Sequence, residues 1–200
     1  MKQRLAIISK IVQGKSVLDV GCVDHEAAKE TGDEWLHKVI LEHASSVLGL
    51  DYAEEEVKDL VQKGYNIVYG NAEEVELGKK FDVVVAGELI EHLSNPGKFL
   101  ENMRKHLHEN GEIVLTTPNP YYPKRMAEIL IQGRAQVHPQ HVMWYCPRTL
   151  TEILTRAGFS EVKIIPFNNT ERWSGVVNSL TRFRPWFSTN LLAVAKNAAR

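Results

Sequence analysis

Apolar residues recur along this 200-residue chain in two rhythms: short runs of three to five, and stripes spaced three and four apart. The runs Val17-Leu18 and Val20, Val47 to Asp51, Tyr65 to Tyr69, Phe81 to Ala86, Glu112 to Thr116, Glu161 to Pro166 and Asn190 to Ala195 have the length and β-branched content of strands. Between them lie helical stripes. Leu5, Ile8 and Val12 mark a helix over residues 2–13, and Trp35, Leu36, Val39, Ile40 and His43 share a second helical face. Val57, Leu60 and Val61 point inward from a helix over Glu54 to Lys63, stopped by Gly64. Asn95-Pro96 opens a helix with Phe99, Leu100, Met103 and Leu107 on one face, ended by Asn110-Gly111. Pro147-Arg148-Thr149 opens another that runs to Arg156, and residues 174–183 form a further candidate. Three prolines punctuate Thr117 to Pro123, so a helix over Lys124 to Gln132 and a loop over Gly133 to Tyr145 read as an excursion (124–145) from the repeating unit. Strand alternating with helix over residues 1–200 predicts a single-domain, doubly wound α/β sheet, its last two strands forming an antiparallel edge.

Composition narrows the class without changing it. Hydrophobic content of 44%, charged content of 24% and a formal charge of −1 describe a globular chain that carries no electrostatic footprint for nucleic acid. Cys22 and Cys146 are far apart, which fits reduced thiols and a cytoplasmic setting. The amino-terminal residues lack a signal peptide's apolar core, and no run is long enough to cross a membrane. Oligomeric state is not encoded in any feature here.

The chemistry gathers at strand ends. Ser16 to His25, S-V-L-D-V-G-C-V-D-H, is a buried strand that ends in an acid and turns on Gly21, where open α/β sheets bind ligands. Asp51 ends the second strand, Gly70-Asn71-Ala72-Glu73 follows the third, and Gly87-Glu88-Leu89-Ile90-Glu91-His92 follows the fourth. Spaced i, i+3, i+4, the residues Glu88, Glu91 and His92 share a face if that stretch is a helical turn.

The motifs V-L-D-V-G-C (17–22), L-G-L-D-Y (48–52), G-N-A-E (70–73), F-D-V-V-V-A-G-E-L-I-E-H-L (81–93) and G-E-I-V-L-T-T-P-N (111–119), in this order, resemble the class I S-adenosylmethionine-dependent methyltransferases. The resemblance runs from about residue 14 to 196 and implies a Rossmann-like, mostly parallel seven-stranded sheet with a reversed last strand. It implies S-adenosylmethionine as cofactor, held by Asp19, Gly21, Cys22, Asp51, Tyr52, Asn71, Ala72, Glu73, Gly87 and Glu88. Asp51 would accept both ribose hydroxyls, and Asn71 with Ala72 would meet the adenine edge. The chain departs from the family where Cys22-Val23-Asp24-His25 replaces alternating glycines, with His25 and Trp35-Leu36-His37 as substitute contacts.

E-x-x-E-H is similar to the ubiquinone-pathway O-methyltransferases and the small-RNA terminal 2′-hydroxyl methyltransferases. That likeness implies a divalent metal (Mn, Fe or Zn before Mg) on Glu88, Glu91, His92 and His141, with His138 the other candidate imidazole. The metal-free alternative leaves His92 or His141 as the base. The expected activity is O-methylation of a small-molecule or glycan hydroxyl, the acceptor lined by Tyr121, Tyr122, Met126 and Trp144. RNA methylation, with only Lys124, Arg125 and Arg134 to meet a backbone, and a non-catalytic cofactor-binding subunit are the rivals.

Overall fold

Alternation along the central strands divides their side chains between two core layers in the computed structural model, which describes residues 2–23, 35–169, 179 and 181–198. On β1 (Ser16–Val20), Leu18 and Val20 join one layer and Val17 the other. On β4 (Phe81–Gly87), Val84 and Ala86 face the first layer, Val83 and Val85 the second. The same split recurs on β5 (Leu107–Pro118) and β7 (Asn190–Asn197), as the two-residue period of a strand requires when both faces are covered. Helices α4 (Pro96–Lys105) and α6 (Pro147–Arg156) close the first layer through Phe99, Leu100, Met103, Leu150 and Leu154. The second is closed by α1 (Lys2–Val12) and α2 (Leu36–His43) through Ile8, Val12 and Ile40. Each fully buried aliphatic side chain contributes about 1.5–3 kcal/mol.

With β2 (Ser46–Asp51), β3 (Ile67–Tyr69) and β6 (Phe159–Phe167), the sheet runs β3-β2-β1-β4-β5-β7-β6. Strands β1 to β5 pair in parallel, and β7 is antiparallel to both β5 and β6. The expected antiparallel end is present, with the reversed strand inserted between β5 and β6. After β1 the chain winds outward to β3 and then returns to β4. The carboxyl ends of β1 and β4 therefore flank a topological switch point, where such sheets leave a crevice. Helix α3 (Glu54–Gln62) packs Val57 and Leu60 against Cys22, Val23, Trp35 and Ile67, while α5 (Pro123–Gln132) opens the 124–145 excursion.

Several boundaries differ from the sequence expectation, those of α4 and β3 among them. Leu107 is not helical: α4 stops at Lys105, where the His106 ring meets the Asn102 carbonyl (2.9 Å) and accepts the Leu77 N–H (3.1 Å). Leu107 then begins β5 beside Phe81, and Asn110-Gly111 is an irregularity within that strand, Asn110 lying at φ 61°. Strand β3 is also shorter than the apolar run around it. The candidate helix over 174–183 falls mostly outside the described residues, as does His25.

Candidate active site

A cleft of about 750 Å³ opens over the carboxyl ends of β1, β2 and β4, within the range of small-molecule sites. Gly21, Asp51, Tyr52, Asn71, Ala72, Glu73, Gly87, Glu88 and His92 line it, as the motifs predict. Gly21 sits at φ 71°, and a β-carbon there would come within 3.2 Å of Leu89 Cδ1, so glycine lets chain and cleft wall lie this close. Asp51 is built into place by backbone. Its Oδ1 accepts the Tyr52 and Ala53 N–H groups (2.7 and 3.0 Å) and its Oδ2 accepts that of Val23 (2.9 Å). Three amides fix both oxygens at the cleft wall and leave one of the carboxylate's four lone-pair sites, on Oδ2, for a ligand hydroxyl. Asn71 Oδ1 accepts the Glu73 N–H (3.0 Å), whereas the Glu73 carboxylate is committed to Asn95 through its N–H and side-chain amide (both 2.9 Å). Glu73 therefore borders the cleft while anchoring the start of α4.

Asp19 and Cys22 are placed elsewhere. Asp19 is buried and its Oδ2 lies 2.8 Å from His37 Nδ1, away from the cleft lining. Cys22 is packed under β2: a β-carbon on Gly49 would come within 2.8 Å of its Sγ. Burial, then Asp19 and Asp51, push its thiol far upward. Trp35 donates its indole N–H to the Cys22 carbonyl (2.9 Å). The Trp35-Leu36-His37 patch thus braces the glycine-poor turn from behind; it does not supply contacts in the cleft.

The acid–histidine cluster also differs from the expected set. Glu88 takes a left-handed conformation (φ 54°), its N–H donating to the Thr116 carbonyl (2.9 Å), so the single 3-10 turn begins only at Ile90. Glu88, Glu91 and His92 consequently do not form one liganding face. Asn190 Nδ2 donates to both Glu88 oxygens (3.3 and 3.1 Å), and burial, offset by Arg4, raises that carboxyl. Glu91 is 1% exposed, and neither carboxylate oxygen has a hydrogen-bond partner among the described residues. Burial, reinforced by Glu88, pushes its carboxyl up to about 8. Its backbone carbonyl instead faces outward and accepts the N–H groups of Val142 (2.9 Å) and Met143 (3.3 Å).

Among the described residues, the potential metal-ligand atoms that gather within 4.8 Å of one another belong to His92, His138 and His141, with no carboxylate among them. Ring centroids lie 4.6 Å apart for His92 and His141, 5.8 Å for His92 and His138, and 5.3 Å for His138 and His141. Burial, then the neighbouring imidazoles, pull His141 down to about 4, so it is neutral at physiological pH. The residues thus do not fit the two-acid, two-histidine metal set that the resemblance implies.

His92 and Gln140 reach the cleft; His141 stands behind. Tyr121, Tyr122, Met126 and Trp144 do not line it. Trp144 instead stacks under the Arg125 guanidinium (5.4 Å) beside a second, shallower depression with Met143, Tyr145 and Ile153. Gly70, named only as part of its motif, also lines the cleft; sequence reasoning missed Tyr69, at the end of β3, and Leu89, Leu93, Ser94 and Gln140, which the folded turn and excursion bring in.

Residues 1–164 match a family described as a methyltransferase domain. The chain is 25% identical over 182 residues to a tRNA U34 carboxymethyltransferase of Alteromonas mediterranea, covering 84% of this chain and 51% of that protein. It is 26% identical over 173 residues to the mitochondrial ubiquinone biosynthesis O-methyltransferase of Arabidopsis thaliana, covering 80% and 51%. The chain thus spans about half the length of these curated relatives. A SAM-dependent methyltransferase from Archaeoglobus fulgidus superposes with a TM-score of 0.71 at 22% identity, covering 98% of this chain and 92% of the other, a likeness of fold. With the family match over most of its length, a sheet of the same fold as that S-adenosylmethionine-dependent enzyme and a cleft at its switch point, the chain belongs to the methyltransferase-domain family.

Proposed function

We propose that the acceptor is a hydroxyl of a small molecule or glycan, and that His92 takes its proton. The observation that carries this reading is the imidazole of His92, which follows β4, in the lining of the same cleft as Asp51, Asn71 and Ala72, which follow β2 and β3 and would hold the nucleoside. The cleft volume, the amide-fixed carboxylate of Asp51 and the glycine at the cleft wall fit a nucleoside cofactor. When bound, S-adenosylmethionine supplies an activated methyl group, so the protein's task is alignment and proton removal. His92 lines the cleft and would accept the hydroxyl proton; His141, neutral and packed edge-on against it, is a positioning residue. Asp51 and the Asn71-Ala72 backbone would orient the nucleoside, while Gly21 and Leu89 shape the wall.

The named relatives are a tRNA U34 carboxymethyltransferase and an O-methyltransferase of ubiquinone biosynthesis. The engagement of basic residues favours the small acceptor: Lys124 faces Glu128 at 3.6 Å, and Arg125 is bound to the Gln136 carbonyl (2.9 Å) and to Trp144. Two of the three cations that the excursion could turn toward a phosphate backbone are thus engaged within the chain.

Radiolabelled methyl transfer across phenol, catechol, sugar, amine and RNA acceptors tests the reading. Transfer to a hydroxyl compound is expected, and His92→Ala should lower it roughly 100-fold or more while cofactor affinity is kept. Transfer confined to amines or RNA, or cofactor binding without any transfer, would overturn it.

A further inference from the structure

We propose that His92, His138 and His141 form a three-imidazole site for a borderline divalent cation such as Zn²⁺, which clips the 138–142 loop onto the turn beside the cleft. Binding of the ion is independent of the methyl-transfer reading and goes beyond it. Three features carry the site.

The first is convergence. Three imidazoles from two segments about 45 residues apart place ligand atoms within 4.8 Å of one another, and no carboxylate of the described residues joins them. An all-nitrogen set suits Zn, Cu, Ni or Fe and disfavours Mg and Ca, which prefer oxygen. Three histidines with a fourth position open to solvent are the donor number of reactive zinc sites.

The second is that backbone builds the cluster before any ion arrives. The Glu91 carbonyl holds Val142 and Met143, and the His141 N–H donates to the His138 carbonyl at 3.0 Å, which sets both loop histidines on the side facing His92. A preorganised site loses less entropy on binding.

The third is adjustability. His138 is the exposed member, and its Nδ1 meets the Gln140 N–H at a long 3.3 Å. Its ring is therefore the one with room to turn toward the other two imidazoles, as a metal–nitrogen distance of about 2.0–2.1 Å requires. His92 and His141 are partly buried and remain in place.

A consequence separates this site from metal-assisted catalysis. If His92 is the base, a cation that takes its lone pair removes that base, so transfer should fall as the site fills. The expected behaviour is inhibition by the ion, the reverse of what the E-x-x-E-H resemblance implies.

The test uses the untagged 200-residue chain titrated with Co²⁺, read by its visible d–d absorption, and then with Zn²⁺ in competition. One ion per chain is expected. Binding should weaken roughly tenfold or more in His138→Ala and in His141→Ala, and be unchanged in Glu91→Gln. Thermal melting of each variant checks that the fold is kept. His138→Ala should retain metal-free methyl transfer and lose its inhibition by Zn²⁺.

Absence of stoichiometric binding in the parent protein would overturn the site, as would binding that survives His138→Ala but is lost in Glu91→Gln. Binding with the expected variant pattern but with transfer enhanced supports the site and removes His92 as the base, so the two readings fail separately.

Discussion

At the scale of the residue, Glu91 is the group most out of balance. Its carboxyl is sealed from water, without hydrogen-bond partners among the described residues, and raised to about 8. Between the ordinary carboxylate range and that value, the folded protein holds a proton that the unfolded chain has released. Stability must therefore fall as pH rises through this window. Glu91→Gln keeps the shape of the neutral acid and removes the slope. Urea denaturation should find the variant equal to the parent near about pH 5 and more stable by about 1 kcal/mol or more near about pH 9, since a tenfold change in an acidity constant corresponds to about 1.4 kcal/mol. A parent whose stability is flat across the window would show that Glu91 is ionised in the fold. The same residue shows where sequence reading stops. Spacing places Glu88, Glu91 and His92 on one helical face, but a left-handed backbone at a single non-glycine residue, Glu88, redirects the chain before the turn begins. Nothing in its identity marks that conformation, since glutamate rarely adopts it.

Elements are more legible than the contacts between them. Val17 to Val20 and Phe81 to Ala86 carry buried apolar residues on both faces, interrupted only by Asp19 and Asp82, as central strands require, and Asp51 and Gly21 fall at strand ends whose position follows from that pattern. Leu107 is misplaced by periodicity because 99, 100, 103 and 107 continue a helical stripe by coincidence across the junction of α4 and β5. The histidine cluster is half legible: His92 belongs to a motif, but its meeting with His138 depends on how the excursion folds back over the Glu91 carbonyl. One prediction belongs to the β1 turn. Gly21→Ala must hold alanine in the left-handed region and push Leu89 aside, for a cost of roughly 1–2 kcal/mol. Denaturant midpoints should fall accordingly, and cofactor affinity should fall with them because Leu89 is a cleft wall. An unchanged midpoint would mean that the turn relaxes to a conformation open to any residue.

At the scale of the molecule, the cleft is bordered by β1, β2, β4 and the segments after β3 and β4, so a ligand there ties several crossovers together. S-adenosylhomocysteine should raise stability by about 2.7 kcal/mol at a hundredfold excess over its Kd, visible as a several-degree rise in Tm. Asp51→Ala should lower cofactor affinity by about 1.5–3 kcal/mol and reduce the rise at equal ligand. An identical rise in the variant would place the ligand away from Asp51. The sheet's order carries a further consequence, for synthesis on the ribosome. Strand β6 is made before β7 yet lies outside it, with β7 as its one neighbour among the described strands. At about 5–20 residues per second, β6 emerges ahead of the strand it pairs with. The unpaired margin of β5 stays open for that interval, so the nascent chain is most exposed to mispairing just before the reversed strand slides into the gap.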